Sequence, residues 1–169
     1  MAGDRSAAMN PQAFRSAVAS AAEREEVRAA VRAVYAAAQV EIDLRRPRCE
    51  LSGRCCRFDE YGHRLYLTTM EAAAFRADLT GAEAPAGAVL TGGCPFQSGR
   101  LCGVHAIRPL GCRLFFCDAG STAWQQDLYE RLHRELRAWH DRLDVPYFYV
   151  EWRAALAAIG LAVGARESL

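Results

Sequence analysis

Lysine is missing altogether: the 21 basic residues of this 169-residue chain are all arginine. That excludes a lysine general base or Schiff-base nucleophile. Together with abundant alanine it reads as GC-biased coding before it reads as a requirement for guanidinium forks. Long apolar runs are also missing. The most apolar stretch, Ala154 to Val163, is too short to span a bilayer. The opening residues have no basic stretch followed by an apolar one, so they do not read as a secretory signal. No charge sign dominates, since 21 arginines face 20 acids and the formal net charge is +1. A nucleic-acid or anionic-membrane binder would carry a basic surplus. There is no Walker loop, no GxGxxG and no HExxH. These absences predict a soluble, cytoplasmic protein with no membrane partner, for which nucleic acid is not expected.

The 51% hydrophobic share is enough for a real core, and the length suits a single domain over residues 1–169. An N-terminal helix is expected within 11–46. Val27, Val31, Val34, Tyr35, Ala38 and Ile42 recur at helical spacing, and Pro47 ends the run. Between Arg57 and Leu67, alternating residues around Tyr61-Gly62 predict a short β-hairpin. Thr68 and Glu71 have capping-box spacing, so a short helix follows and closes at Thr80-Gly81. A loop is expected over Gly81 to Gly93. Cys94 to Cys117 should be loop-rich, with one helical turn near Val104 to Ile107. Residues 121–169 return to helix. One helix is capped by Ser121 and runs to about Leu143, with Trp124, Leu128, Leu132, Leu136 and Trp139 inward. Another runs from Val150 to Ile159 and ends at Gly160. The expected fold is mostly α with a small β-hairpin (α+β), helices packing around a loop-rich cysteine core at 47–118. His133 and His140, seven apart, share a helix face that reads as solvated surface.

The seven cysteines fall in two groups: Cys49, Cys55 and Cys56, then Cys94, Cys102, Cys112 and Cys117. Their odd number, without an export signal, argues against a disulfide framework and for thiolate ligands in a reducing compartment. Thiolates are soft donors that suit zinc, copper(I) and iron–sulfur clusters. Four of them around such a centre leave a net charge of about −2, which Arg54, Arg57, Arg108 and Arg113 are positioned in sequence to offset. Structural zinc sites usually carry paired C-x2–4-C knuckles, and the spacings here are longer. That favours an iron–sulfur cluster over zinc. Neighbouring residues of an extended chain point apart, so Cys55 and Cys56 are not expected to share one ion. The surplus thiols read as buried apolar fillers, as ligands of a second metal or as a resolving thiol.

Two segments carry a family resemblance. Cys49-Glu-Leu-Ser52-Gly-Arg-Cys55-Cys56 has CxxCxxCC spacing with serine at the second position, and CPFQSGRLCGVHAIRPLGCRLF is similar to a CPF…C…RP…CR pattern. With LYLTTMEAAAF between them, the chain from Cys49 to about Cys117 resembles the YkgJ-type cysteine-cluster family, described as zinc- or iron-chelating domains. The resemblance implies a metal site drawn from Cys49, Cys55, Cys56, Cys94, Cys102, Cys112 and Cys117. Ser52 departs from the pattern, as does His105, which stands where the family often has tyrosine. Flagellin lysine methylases carry a similar segment in longer chains, so a metal-dependent modification enzyme is the alternative function. A zinc-ribbon-like nucleic-acid module is the second alternative.

Overall fold

The computed structural model describes residues 10–79 and 92–161. Thr80-Gly81 and most of the 81–93 loop expectation lie outside them. The fold is mostly helical with two small antiparallel two-stranded sheets. Among the described residues no helix is long and apolar enough to cross a membrane.

The N-terminal region is two helices, not one: α1 (Pro11–Ala22) and α2 (Glu25–Arg45). Asn10 caps α1, its side chain accepting from the N–H groups of Gln12 and Ala13, with Pro11 at the first helical position. Arg24 breaks the run in an extended conformation (ψ 111°), and Glu25 and Glu26 then start α2 at its positive end. The two helices bury one face: Phe14 and Val18 on α1, and Val27, Val31, Val34 and Ala38 on α2. Tyr35 and Ile42 pack at the edge of this core.

The expected hairpin is absent. Phe58–Tyr61 forms one helical turn, α3, which Gly62 ends at φ +65°. Tyr-Gly therefore serves as a helix stop, because a left-handed glycine suits a C-cap as well as a hairpin turn. The following strand, β1 (Tyr66–Thr68), pairs with β4 (Tyr149–Glu151), and Leu67 lies opposite Val150. Thr68 caps α4 (Thr69–Asp78) with the expected capping box. Gln97–Ser98 and Leu101–Cys102 form a second small ribbon, β2 and β3, and Leu110–Arg113 forms the one-turn helix α5.

Helix α6 (Thr122–Arg142) buries Leu128, Leu132 and Leu136, with Trp124 and Trp139 partly covered. Ser121 precedes it, but its hydroxyl donates to Asp118 and does not cap the helix. His140 is not on a solvated face. It is 2% exposed, and its Nδ1 donates to the Val145 carbonyl at 3.0 Å. His133 stacks on Tyr149 with centroids 4.7 Å apart. Helix α7 covers only Trp152–Ala158, because Val150 is taken by β4.

Glu71, 2% exposed, ties these layers together. Its carboxylate accepts from the N–H groups of Thr68 (2.8 Å) and Leu110 (2.9 Å) and from the Tyr35 hydroxyl (3.2 Å). One side chain of α4 therefore anchors its own helix start, the approach to α5 and the middle of α2.

Candidate metal centre

The first thiols are aimed by an irregular segment with two left-handed residues. Leu51 stands at φ 48° and Gly53 at φ 73°. A methyl group on Gly53 would sit 2.6 Å from the Gln97 side chain, which donates to the Gly53 carbonyl at 3.2 Å. The chain then tightens into a 3-10 turn, Arg54–Cys56. This turn overturns the expectation that Cys55 and Cys56 diverge. The backbone is not extended there, and their sulfurs are 3.9 Å apart.

The second group is brought in by backbone bonds. The N–H of Cys94 donates to the Cys56 carbonyl at 2.7 Å. Gly93 permits this approach, since a Cβ there would meet the same carbonyl at 2.8 Å. The β2–β3 ribbon then places Cys102 opposite Gln97. The indole N–H of Trp152 donates to the Cys94 sulfur at 3.3 Å. Trp152 is 1% exposed and held edge-on by Phe75. Nothing in the sequence signals that contact, which spans 58 residues.

A cavity of about 90 Å³ opens among these residues. Cys49, Cys55, Cys56, Cys102 and Cys117 all line it, with Ser52, His105 and Arg108. Cys56 is the hub: its sulfur lies 3.9 Å from that of Cys55, and Cys102 and Cys94 also act on its titration. Cys49 and Cys117 face the cavity outside that set. Ser52, where the resembling pattern has cysteine, shares a 3.4 Å hydrogen bond with the Cys117 sulfur. Cys112 sits on α5, close enough for Cys94 and Cys102 to act on it through their charge.

The thiols are electrostatically unequal. Hydrogen bonding to Cys56 lowers Cys102 to about 6 and Cys55 to about 7, and Arg108 assists both. Cys94 is lowered by Cys56 and by the Trp152 N–H. Cys56 is raised in return, because it donates its proton to those neighbours. Burial raises Cys112. Cys102 is therefore the first of these thiols to ionise as the pH rises, followed by Cys55, while Cys56 and Cys112 keep their protons.

Of the four arginines expected to offset this charge, Arg108 faces the thiols. Its Nε is buried and has no acceptor among the described residues. Arg54 lies over Tyr61, Arg57 pairs with Glu60, and Arg113 lies over Tyr35. His105 lines the cavity, and desolvation with Arg108 and Arg113 lowers its pKa, which favours the neutral ring.

Among the described residues, no group of three or more His, Cys, Asp or Glu side chains is placed so that it could hold a metal ion. The donor chemistry still suits a thiolate-bound centre. A tetrahedron with metal–sulfur bonds of about 2.3 Å has edges of roughly 3.8 Å, close to the 3.9 Å Cys55–Cys56 separation. One water needs about 10–15 Å³, so 90 Å³ has room for a group of several atoms. Gly93→Ala is expected to push Cys94 off the Cys56 carbonyl and slow closure of the thiol set. Hydrogen exchange at the Cys94 amide should rise by about tenfold or more, as loss of one well-formed hydrogen bond implies.

Comparison with protein-family models, curated proteins and solved structures finds no match to this chain.

Proposed function

We propose that this chain is a metal-binding protein that holds an iron–sulfur cluster, or alternatively zinc, through cysteine thiolates. Cys55, Cys56, Cys94 and Cys102 would form the inner ligand set. Cys49 and Cys117 would face the open side, and Cys112 would stand behind. The observation that carries the reading is the convergence of thiols from two distant segments on one cavity, five of them in its wall. The chemistry of the donors supports soft metals, and the room in the cavity favours a cluster over a single zinc ion. A cluster supplies one-electron transfer when bound, while zinc braces the fold. Arg108 offsets the thiolate charge, and Trp152 holds Cys94 through its N–H. The likeness to YkgJ-type domains belongs to the same proposal, as does a cytoplasmic location, where thiols stay reduced.

A second reading, a metal-dependent modification enzyme of the flagellin lysine methylase type, draws on one observation. Cys49 is exposed at the cavity, which leaves a side through which a substrate could reach the centre.

Anaerobic purification followed by iron, zinc and acid-labile sulfide analysis tests the proposal. Iron and sulfide in similar amounts, with a brown absorption band, is the expected result. Stoichiometric zinc in a colourless protein would select the zinc form. Iron without sulfide would move weight to the enzyme reading. A chain that holds no metal and pairs its cysteines as disulfides would overturn the proposal.

A further inference from the structure

A second cavity, of about 390 Å³, lies between α2, α4 and the segment that leads into α5. That size falls in the range of roughly 300–1,000 Å³ typical of small-molecule sites. One wall is apolar, made by Val31, Ala74, Phe75 and Ile107. Charges of both signs stand around it: Arg32, Arg113 and Asp78.

Arg113 is the unusual member. Its guanidinium lies over the Tyr35 ring at 4.2 Å, and its Nη2 donates to the Ala106 carbonyl at 2.6 Å. Its Nε is buried with no acceptor, and no carboxylate forms an ion pair with it among the described residues. Glu71, bonded to the Tyr35 hydroxyl beneath it, offsets this partly desolvated cation only through space, so an entering anion in direct contact would relieve the remaining cost. Guanidinium matches carboxylate in shape and can bond it through two N–H groups. Asp78 offers the complementary charge. Its only ion pair among the described residues is a long one to Arg32, 3.9 Å, and Arg32 is itself bonded to Glu25.

We propose that this cavity binds a small apolar amino acid or a similar zwitterion. The carboxylate would rest on Arg113, the ammonium on Asp78, and the side chain against Val31, Ala74, Phe75 and Ile107. The argument for this site does not use a metal at the thiols, although Cys112 and Arg113 share α5.

Calorimetric titration of the full chain with L-leucine, 4-methylpentanoate and 3-methylbutylamine separates the contributions. Leucine is expected to saturate, the acid to bind about tenfold more weakly, and the amine to give no saturable heat. Asp78→Asn should bring leucine down to the affinity of the acid. Arg113→Met should abolish binding of both. Ala74→Leu provides a second route, because it fills the cavity and leaves Arg113 in place. It should also abolish leucine binding with an unchanged circular dichroism spectrum. The proposal is overturned if leucine gives no saturable heat up to about 10 mM. It is equally overturned if Ala74→Leu binds leucine as the parent does, or if the amine binds as well as the amino acid.

Discussion

Glu71→Ala should lower the folding stability by about 3–4 kcal/mol, read from urea denaturation with the midpoint and slope fitted together. The substitution leaves the Thr68 and Leu110 N–H groups and the Tyr35 hydroxyl without their acceptor. A buried donor without a partner costs about 1–3 kcal/mol, and the lost side chain leaves a void as well. A loss under about 1 kcal/mol would mean that the three donors find other partners, and Glu71 would not be the tie between α2, α4 and α5. The same residue carries a pH signature. Burial raises its pKa above the ordinary 4.5, against the pull of the Thr68 and Leu110 N–H groups. With the folded value above the unfolded one, its titration contributes stability that is complete below about 4.5. That contribution is lost as the pH climbs through the folded value. Glu71→Gln should lack this slope.

Cys56→Ser should strip the chain of most of its metal, by more than the roughly 10–100-fold that loss of an outer partner costs. Cys117→Ser should keep the greater part. The contrast follows from how the thiols are coupled. The Cys56 thiol engages three other thiols, whereas the Cys117 thiol meets Ser52. Metal per chain after competition with a chelator distinguishes the two variants. Equal retention in Cys56→Ser and the parent would remove Cys56 from the centre of the set. Because both variants change a thiol for a hydroxyl of similar shape, circular dichroism should show both folded before metal is added.

What could be read from the residues alone was what neighbours along the chain decide. The Thr68–Glu71 capping box and the leucine stripe of α6 depend on contacts within a few residues, and both stand in the structure as expected. The Tyr61-Gly62 pair was misread because a left-handed glycine serves a helix stop and a hairpin turn equally. The true partner of β1 is β4, more than 80 residues away, and no local pattern encodes that register. The same limit applied at the thiols. Grouping them was possible from spacing, but their inequality was not. The 3-10 turn that points Cys55 and Cys56 the same way depends on Gly53 being packed against Gln97. Arg108 could not be told from Arg54, Arg57 and Arg113, since all four lie within four residues of a cysteine and only their aromatic and acidic neighbours in space divide them.

The pairing of β1 with β4 also sets an order of events during synthesis. Leu65 accepts from the Trp152 N–H at 2.8 Å, and the Trp152 indole reaches Cys94. Every cysteine has therefore been made before Trp152, the residue whose indole reaches Cys94. At about 5–20 residues per second, the stretch from Cys117 to Trp152 takes roughly 2–7 s to make, and until it is made Cys94 lacks the indole that holds its sulfur. In that interval oxidants compete for the Cys94 thiol, so oxidative damage would register first in newborn chains, while finished molecules stayed intact.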